Sequence, residues 1–458
     1  MTTPIVDFVR RYAARGGARF HMPGHKGKPF LGVENVDMGR LFLPPESMDI
    51  TEVAGADVLY DAAGIIKESE CNATALFGSA HTFYSAEGST LAIKAMLATV
   101  AMSLPRGTRP RVLAARNAHK AFLYGAALLD IAVSWIYPTV PAHICACPVT
   151  ADDVERAISA CAEKPHAVYL TSPDYLGNVA DISGISAVCK RHGVPLLVDN
   201  AHGAYLHFLS PAQHPLDQGA TMCADSAHKT LPVLTGGAYL HIAKDAPEEY
   251  LARAGDALSL FASTSPSYLI MQSLDLCNAY LADGYAERLA DTAARLSGVR
   301  AVLRAHGWVV PEGEPLKIVI DAAKGGCTGE EIAVLMRENG MEPEFADRDF
   351  LVLMCTPENT EQELVHFCAV LCSIPLKAPL SAPLLPLLRP VARLSPREAM
   401  LAPAEVLPLS RAMGRICAAP SVSCPPAVPL VVAGEEIDAE VLSHLSYYGT
   451  QSISVIKE

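Results

Sequence analysis

The chain has 458 residues, 50% of them hydrophobic and 19% charged, with 36 Lys and Arg against 49 Asp and Glu for a formal net charge of −13. Such an apolar content excludes a disordered chain, and the length predicts two or three domains instead of a single core. The acidic balance lacks the basic face that a phosphate backbone demands, so nucleic-acid binding is excluded; it serves solubility first and mildly favours cationic small molecules.

Residues 1–50 read as an N-terminal arm with one helical stretch, Ile5 to Ala14, followed by the polar run His21-Met22-Pro23-Gly24-His25-Lys26. From 51 to 285 short apolar runs alternate with amphipathic segments. Strands are predicted at His81–Ser85, Arg111–Ala115, Ala167–Thr171 and Val194–Asp199, and helices over Leu91–Val100, Asn117–Ala126 and Ile185–His192, the last ended by Gly193. This rhythm predicts an α/β domain built on a mostly parallel sheet covered by helices. Residues 286–374 read as a smaller α/β domain, with a helix over Ala286–Arg304, strands at Lys317–Asp321 and Phe350–Met354, and a helix over Gly329–Asn339 between them. Residues 375–390 form a proline-rich linker, and 391–458 a C-terminal segment of mixed helix and loop.

No apolar run reaches the roughly 18 residues that a membrane-spanning helix needs. The run Leu91–Met102 carries Lys94, and the stretch from Ile374 to Leu394 is broken by Pro375, Pro379, Pro383, Pro386 and Pro390. The 13 cysteines are scattered, and the close pair Cys145 and Cys147 has no second pair at zinc-site spacing. No metal is expected, and reduced thiols without a secretory leader predict a soluble, cytoplasmic protein.

The densest chemical signal lies in Val194–His207 and Cys223–Gly237. A buried strand ends in Asp199-Asn200-Ala201-His202-Gly203, and Asp225-Ser226-Ala227-His228-Lys229-Thr230 follows. Ligands of open α/β sheets meet the carboxyl ends of strands, which is where Asp199 falls. A lysine among small residues, with a histidine before it, suits a carbonyl-reactive amine. Together the two point to pyridoxal phosphate, which needs a lysine for its Schiff base and a carboxylate against its pyridinium nitrogen. Its phosphate needs donors, and Glu87-Gly88-Ser89-Thr90 opens a helix that offers them. Its ring needs an aromatic face, and His119 offers one. Each residue has a plainer reading: a strand-end aspartate as a turn residue, Gly-Ser-Thr as a helix cap, Ser-x-His-Lys as a solvated loop, His119 as a surface histidine.

The order of these segments along nearly the whole chain resembles the ornithine/lysine/arginine decarboxylases of pyridoxal-phosphate fold type I. The motifs that carry the likeness are Phe20 to Lys26, Asp49-Ile50-Thr51-Glu52, Arg116 to Lys120, Asp199 to Ala204, Ala224 to Pro232 and Ser263 to Tyr268, then Ser395 to Ala399, Gly414-Arg415-Ile416 and Gly434-Glu435. The likeness is closest to the short, Bacillus-type arginine decarboxylases. It implies an aspartate-aminotransferase-like large domain with a seven-stranded, mostly parallel sheet, and a homodimer with shared active sites. By this resemblance Lys229 is the Schiff-base lysine, Asp199 pairs with the ring nitrogen, His202 lies beside the ring hydroxyl, and His119 stacks on the ring. Gly88, Ser89 and Thr90 hold the phosphate with Ser226 and His228. His228 or Lys229 returns the proton to Cα, Thr264 and Ser265 reach the neighbouring subunit's site, and Glu435 meets the substrate's cationic end.

The implied reaction is decarboxylation of a basic amino acid in polyamine biosynthesis, with arginine to agmatine leading and lysine to cadaverine or ornithine to putrescine open. The family's Asn-Gly-Thr turn reads Gly88-Ser89-Thr90 after Glu87, its Asp-Glu-Ala-His-Gly-Ala-His reads Asp199-Asn200-Ala201-His202-Gly203-Ala204-Tyr205, and its Pro-Gly-Glu and Tyr-Pro-Pro-Gly read Ala433-Gly434-Glu435 and Cys424-Pro425-Pro426-Ala427. These departures are read as drift on the substrate side. Two rivals stay open: an aminotransferase or lyase whose carboxylate clamp is Arg393, Arg397 or Arg415, and a non-catalytic cofactor-binding paralogue.

Overall fold

The computed structural model describes residues 18–20, 57–140, 142–380, 385–420 and 428–458. Most of the expected arm, including the Ile5–Ala14 helix, His21–Lys26 and Asp49–Glu52, lies outside the described residues. Ala18–Arg19 pairs in parallel with Met341–Glu342.

The large sheet has seven strands: β1 (His81–Ser85), β2 (Arg111–Ala115), β3 (Ala132–Ile136), β4 (Ala167–Thr171), β5 (Leu196–Asp199), β6 (Met222–Asp225) and β7 (Ala238–Ile242), in the order β1-β7-β6-β5-β4-β2-β3. Strand β7 runs antiparallel to both neighbours, β1 and β6, and every other pairing is parallel. Strands β5, β6 and β7 are buried along their whole length, as strands covered on both faces must be, so they read as unbroken apolar runs instead of alternating ones. The strand expected from Val194 starts two positions later because the Val194 amide closes the preceding helix, donating to Cys189 O at 2.9 Å.

Helices α1 (Ile65–Phe77), α2 (Gly88–Met102), α3 (Lys120–Leu128), α4 (Ala151–Ala160), α5 (Ile182–His192), the single turn α6 (Ala227–Thr230), α7 (Glu248–Ser259) and α8 (Tyr268–Ala282) complete this part. One core joins α2, α3 and α7 to one sheet face, and another joins α4 and α5 to the other. Helix α2 is buried almost all round, which accounts for the apolar run from Leu91 to Met102. No described helix is long and apolar enough to cross a membrane.

Helix α9 (Tyr285–His306) leads into an antiparallel sheet of β8 (Lys317–Asp321), β9 (Phe345–Ala346) and β10 (Phe350–Met354), ordered β9-β10-β8 and packed by α10 (Gly329–Glu338) and α11 (Glu361–Cys372). The core beneath it is continuous with α1 and α8, so the small sheet is anchored to the large one. The proline-rich stretch is docked at both described ends: Lys377 N donates to Gly325 O and Leu387 N to Ala142 O. Helix α12 (Pro396–Leu401), strand β11 (Ala404–Pro408), α13 (Ala439–Tyr447) and β12 (Ser452–Ile456) follow, with β11 antiparallel to β12. The carboxyl ends of β4, β5 and β6 and the amino ends of α2, α3 and α6 therefore meet at one edge of the large sheet, the place where such folds bind ligands.

Candidate active site

A cavity of about 260 Å³ lies at that edge, and Gly88, Ser89, Thr90, His119, Asp199, His202, Ser226, His228 and Lys229 all line it. Residues separated by up to 141 positions thus converge, because parallel strands return the chain to the same edge after each crossover helix.

Asp199 is the last residue of β5. Its Oδ2 accepts from Tyr169 Oη at 3.1 Å and its Oδ1 from Ala201 N at 3.2 Å. Burial pushes its carboxyl up to about 6, against the lowering influence of the Ala201 amide, the Lys229 charge and Tyr169. A carboxyl held in this way gains from a cationic partner.

His119 caps α3, its Nδ1 accepting from Ala121 N at 3.1 Å, which fixes the ring and leaves the proton on Nε2. Burial, reinforced by Lys229 and Lys120, lowers its pKa to about 3, so the ring is neutral. His228 Nδ1 donates to Gly237 O at 3.0 Å, leaving Nε2 unprotonated, and burial lowers its pKa to about 4. It is a base in this state, not an acid.

At the start of α2, Gly88 sits at φ +71°, and its N–H donates to Gly236 O at 2.7 Å. Its contribution is the left-handed turn and the missing side chain, not a donor. The amides of Ser89 and Thr90 have no partner among the described residues, as expected for a first helical turn, and Ser226 Oγ donates to Ser89 Oγ at 2.7 Å. The neighbouring Glu87 is tied to the loop between α7 and α8, its Oε1 accepting from Ser263 N at 2.6 Å.

From the cavity wall inward runs a row of side chains. Lys229 Nζ lies 2.8 Å from His202 Nε2, and Lys317 Nζ lies 3.0 Å from His202 Nδ1. Lys317 forms an ion pair with Glu314 at 2.6 Å, off the hydrogen-bond direction, and Tyr205 Oη donates to the other Glu314 oxygen at 2.7 Å.

Three expected residues are not among those lining the cavity. Thr264 and Ser265 are exposed on the loop between α7 and α8 and do not line the cavity within one chain. Glu435 is 2% exposed; its Oε2 accepts from Arg116 Nη2 at 3.1 Å and from Val432 N at 2.7 Å, while its Oε1 is buried without a hydrogen-bond partner among the described residues. The clamp candidates are engaged elsewhere too: Arg393 with Glu436, Arg397 with the carbonyls of Ala127 and Leu128, and Arg415 with Glu405 and Glu458. Nor are Asn200 and Tyr205 substrate-side drift. Asn200 Nδ2 donates to Asp225 Oδ1 at 2.7 Å, a bond no glutamate could make, and Tyr205 holds Glu314.

Sequence reasoning passed over Asn117, Cys145, Thr171 and Tyr175 in the cavity wall, and Lys317 behind it. Thr171 ends β4, so the strand-end rule that found Asp199 could have found it. Lys317 comes from another sheet, and no local pattern points to it. Also unforeseen is a fully buried group beneath Ser226: His214, Cys223, Asp225 and His241 bring four ligand-type atoms within 4.8 Å of one another. Hydrogen bonds close it. His214 Nδ1 accepts from Leu216 N at 3.3 Å, so His214 Nε2 carries the proton and donates to Asp225 Oδ2 at 2.9 Å, while His241 Nε2 meets the same oxygen at 3.1 Å.

Residues 3–311 match the family model described as Orn/Lys/Arg decarboxylase, major domain. An uncharacterized Bacillus subtilis protein, YaaO, is 31% identical over 97% of this chain and 94% of its own length. The Bacillus subtilis arginine decarboxylase is 28% identical over 97% of this chain and 93% of its own. The solved constitutive lysine decarboxylase of E. coli superposes with a TM-score of 0.71 at 20% identity, covering 100% of this chain and 82% of that one. The fold is the fold type I of pyridoxal-phosphate enzymes that the motifs lead one to expect.

Proposed function

Because the chain belongs to the Orn/Lys/Arg decarboxylase family, we propose that it is a pyridoxal-phosphate-dependent decarboxylase of a basic amino acid, with L-arginine to agmatine as the leading reaction. One observation carries the reading: Lys229, Asp199, His119 and the open amino end of α2 line the same cavity.

The donor set fits the cofactor. Asp199 is a buried carboxyl with no matching cation but Lys229 among the described residues, and Asn117 Oδ1 is buried in the cavity wall without a hydrogen-bond partner among them. When bound, pyridoxal phosphate supplies an electrophilic aldehyde and a ring that accepts the electrons left by departing carbon dioxide. Lys229 offers the amine for that aldehyde. Asp199 would hold a proton at the ring nitrogen, and the neutral His119 would lie on the ring face. The Ser89 and Thr90 amides, with the Ser89 and Ser226 hydroxyls, would hold the phosphate at a helix terminus. His228 Nε2 would take a proton and return it at Cα. Exclusion of water from the substrate carboxylate on binding would favour loss of its charge. Thr264 and Ser265 would act across a homodimer, in which two chains share each site.

The test is an amine-product profile. The loaded enzyme is incubated with L-arginine, L-lysine and L-ornithine, and carbon dioxide and amine are measured for each. Arginine should give agmatine, and Lys229→Ala should give nothing. Amino transfer to a keto acid with no carbon dioxide from any of the three would overturn decarboxylation.

A further inference from the structure

We propose that Lys317, from the small sheet, is a positioning residue that fixes the tautomer of His202 and thereby presents Lys229 as a neutral amine. The inference rests on the reading that Lys229 condenses with an aldehyde.

The argument is a count of protons along that row. A lysine ammonium has three donors and no lone pair, and a neutral imidazole has one donor and one acceptor nitrogen. Lys317 Nζ is 1% exposed in side chain and faces the Glu314 carboxylate at 2.6 Å, the Asp174 carbonyl at 3.0 Å and His202 Nδ1 at 3.0 Å. One anion and two acceptors surround it, so it is an ammonium and donates to His202 Nδ1. His202 is not doubly protonated: burial, with the Lys317 ammonium against its Nδ1, holds its pKa well below the ordinary value. Its remaining proton is therefore on Nε2, directed at Lys229 Nζ at 2.8 Å. An amine that receives an N–H there does so through its lone pair. Were Lys229 the donor, the His202 proton would sit on Nδ1 and oppose the Lys317 ammonium.

That lone pair is what condensation requires. The Lys229 nitrogen bonds the aldehyde carbon, and the carbonyl oxygen leaves as water with two protons from the amine; no oxidant or reductant takes part. Glu314 sits one step further back. It holds the charge on Lys317 and is itself held by Tyr205, at the position where the family pattern has histidine. The small sheet thus sets the protonation of a lysine carried by the large one.

The experiment uses the full cofactor-free chain mixed with pyridoxal phosphate over a range of pH. The adduct is trapped with borohydride and located by peptide mass mapping, and melting curves report folding. The wild type should give an adduct on Lys229 at neutral pH. In Lys317→Met, His202 is free to turn its proton to Nδ1 and Lys229 to keep its own. Trapping at neutral pH should then slow at least about tenfold, with the pH profile displaced upward by about one unit. If Lys317→Met does not fold, Glu314→Gln, which keeps the side-chain shape and removes the counter-charge, should displace the profile in the same direction. A wild-type profile in a folded Lys317→Met, or in Glu314→Gln where that variant carries the test, overturns the inference while leaving the proposed function standing. Absence of any Lys229 adduct in the wild type overturns the proposed function itself.

Discussion

Two aspartates end adjacent strands of the large sheet, equally buried, and their surroundings treat them in opposite ways. Burial alone would push Asp225 up, but His214 and His241 outweigh it and, with Asn200 donating as well, hold the carboxyl well below the usual range. Asp199 has a tyrosine hydroxyl and a backbone amide, and there burial prevails, at about 6. Burying a carboxylate is costly unless it is matched. The fold matches Asp225 from its own side chains and leaves Asp199 incomplete, at the edge of a cavity. A binding site is recognised here by what the fold has left unfinished.

The largest effect should separate the two. Asp199→Asn removes the group placed for a cationic ring and should lower kcat roughly 10²- to 10³-fold, in the range of a lost preorganised electrostatic contact. Its melting temperature should hold or rise, since an unmatched charge is gone. Steady-state kinetics beside thermal melts decide this, and the contrast collapses if Asp199→Asn unfolds as readily as an Asp225 variant.

Asp225→Ala should act chiefly on stability, by about 3 kcal/mol or more, because two buried imidazoles and the Asn200 amide lose their acceptor. The pH dependence has a definite sign. Asp225 is lowered in the folded state, so its contribution is present above the ordinary carboxylate pKa and is lost as pH falls through the depressed value. Urea unfolding of wild type and variant should converge in acid; a constant gap would mean the carboxylate is not what matters.

Asp199 predicts the reverse slope. Its folded pKa is raised from 3.8 to about 6, so the cofactor-free protein should lose stability as pH climbs between those values, by an amount of order 3 kcal/mol. Asp199→Asn should lack that slope, and pyridoxal phosphate should flatten it in the wild type. Parallel melts of the three samples test it, and a slope that persists in the asparagine variant assigns it elsewhere.

How far the sequence foretold this contrast depends on range. Asp199 and Lys229 were legible because each ends a local pattern, an apolar strand or a small-residue turn, at the edge where α/β sheets bind ligands. The bounds of His81–Ser85, Arg111–Ala115 and Ala167–Thr171 were legible for the same reason. Strands β3, β6 and β7 were not: β3 is only partly buried, β6 is a run of four residues ending in aspartate, and β7 follows a glycine-rich turn that masks its start. The partners of Asp225 come from a loop and from β7, and Lys317 from another sheet, so their roles exist only after long-range packing. Asn200 and Tyr205 stood out as departures, but their bonds to Asp225 and Glu314 gave the departures a meaning that one chain read in order could not.

Glu435 supplies the smallest and sharpest test. It is a third buried carboxylate, raised by burial and lowered again by Arg116, with which it shares a 3.1 Å contact. Arg116 also donates to the carbonyls of Pro429 and Leu430, so the pair fastens the C-terminal segment to the carboxyl end of β2. Glu435 stands between the two: Arg116 partners it, yet burial prevails as at Asp199, and its Oε1 has no hydrogen-bond partner among the described residues. Glu435→Gln keeps the shape and the Val432 amide contact but weakens the charge-assisted bond, and should cost about 1–2 kcal/mol of stability. KM for the basic amino acid should stay where it was. A raised KM with unaltered stability would instead put Glu435 on the substrate's cationic end and move it to the unfinished side of the comparison, leaving Arg116 as a neighbour that substrate binding displaces.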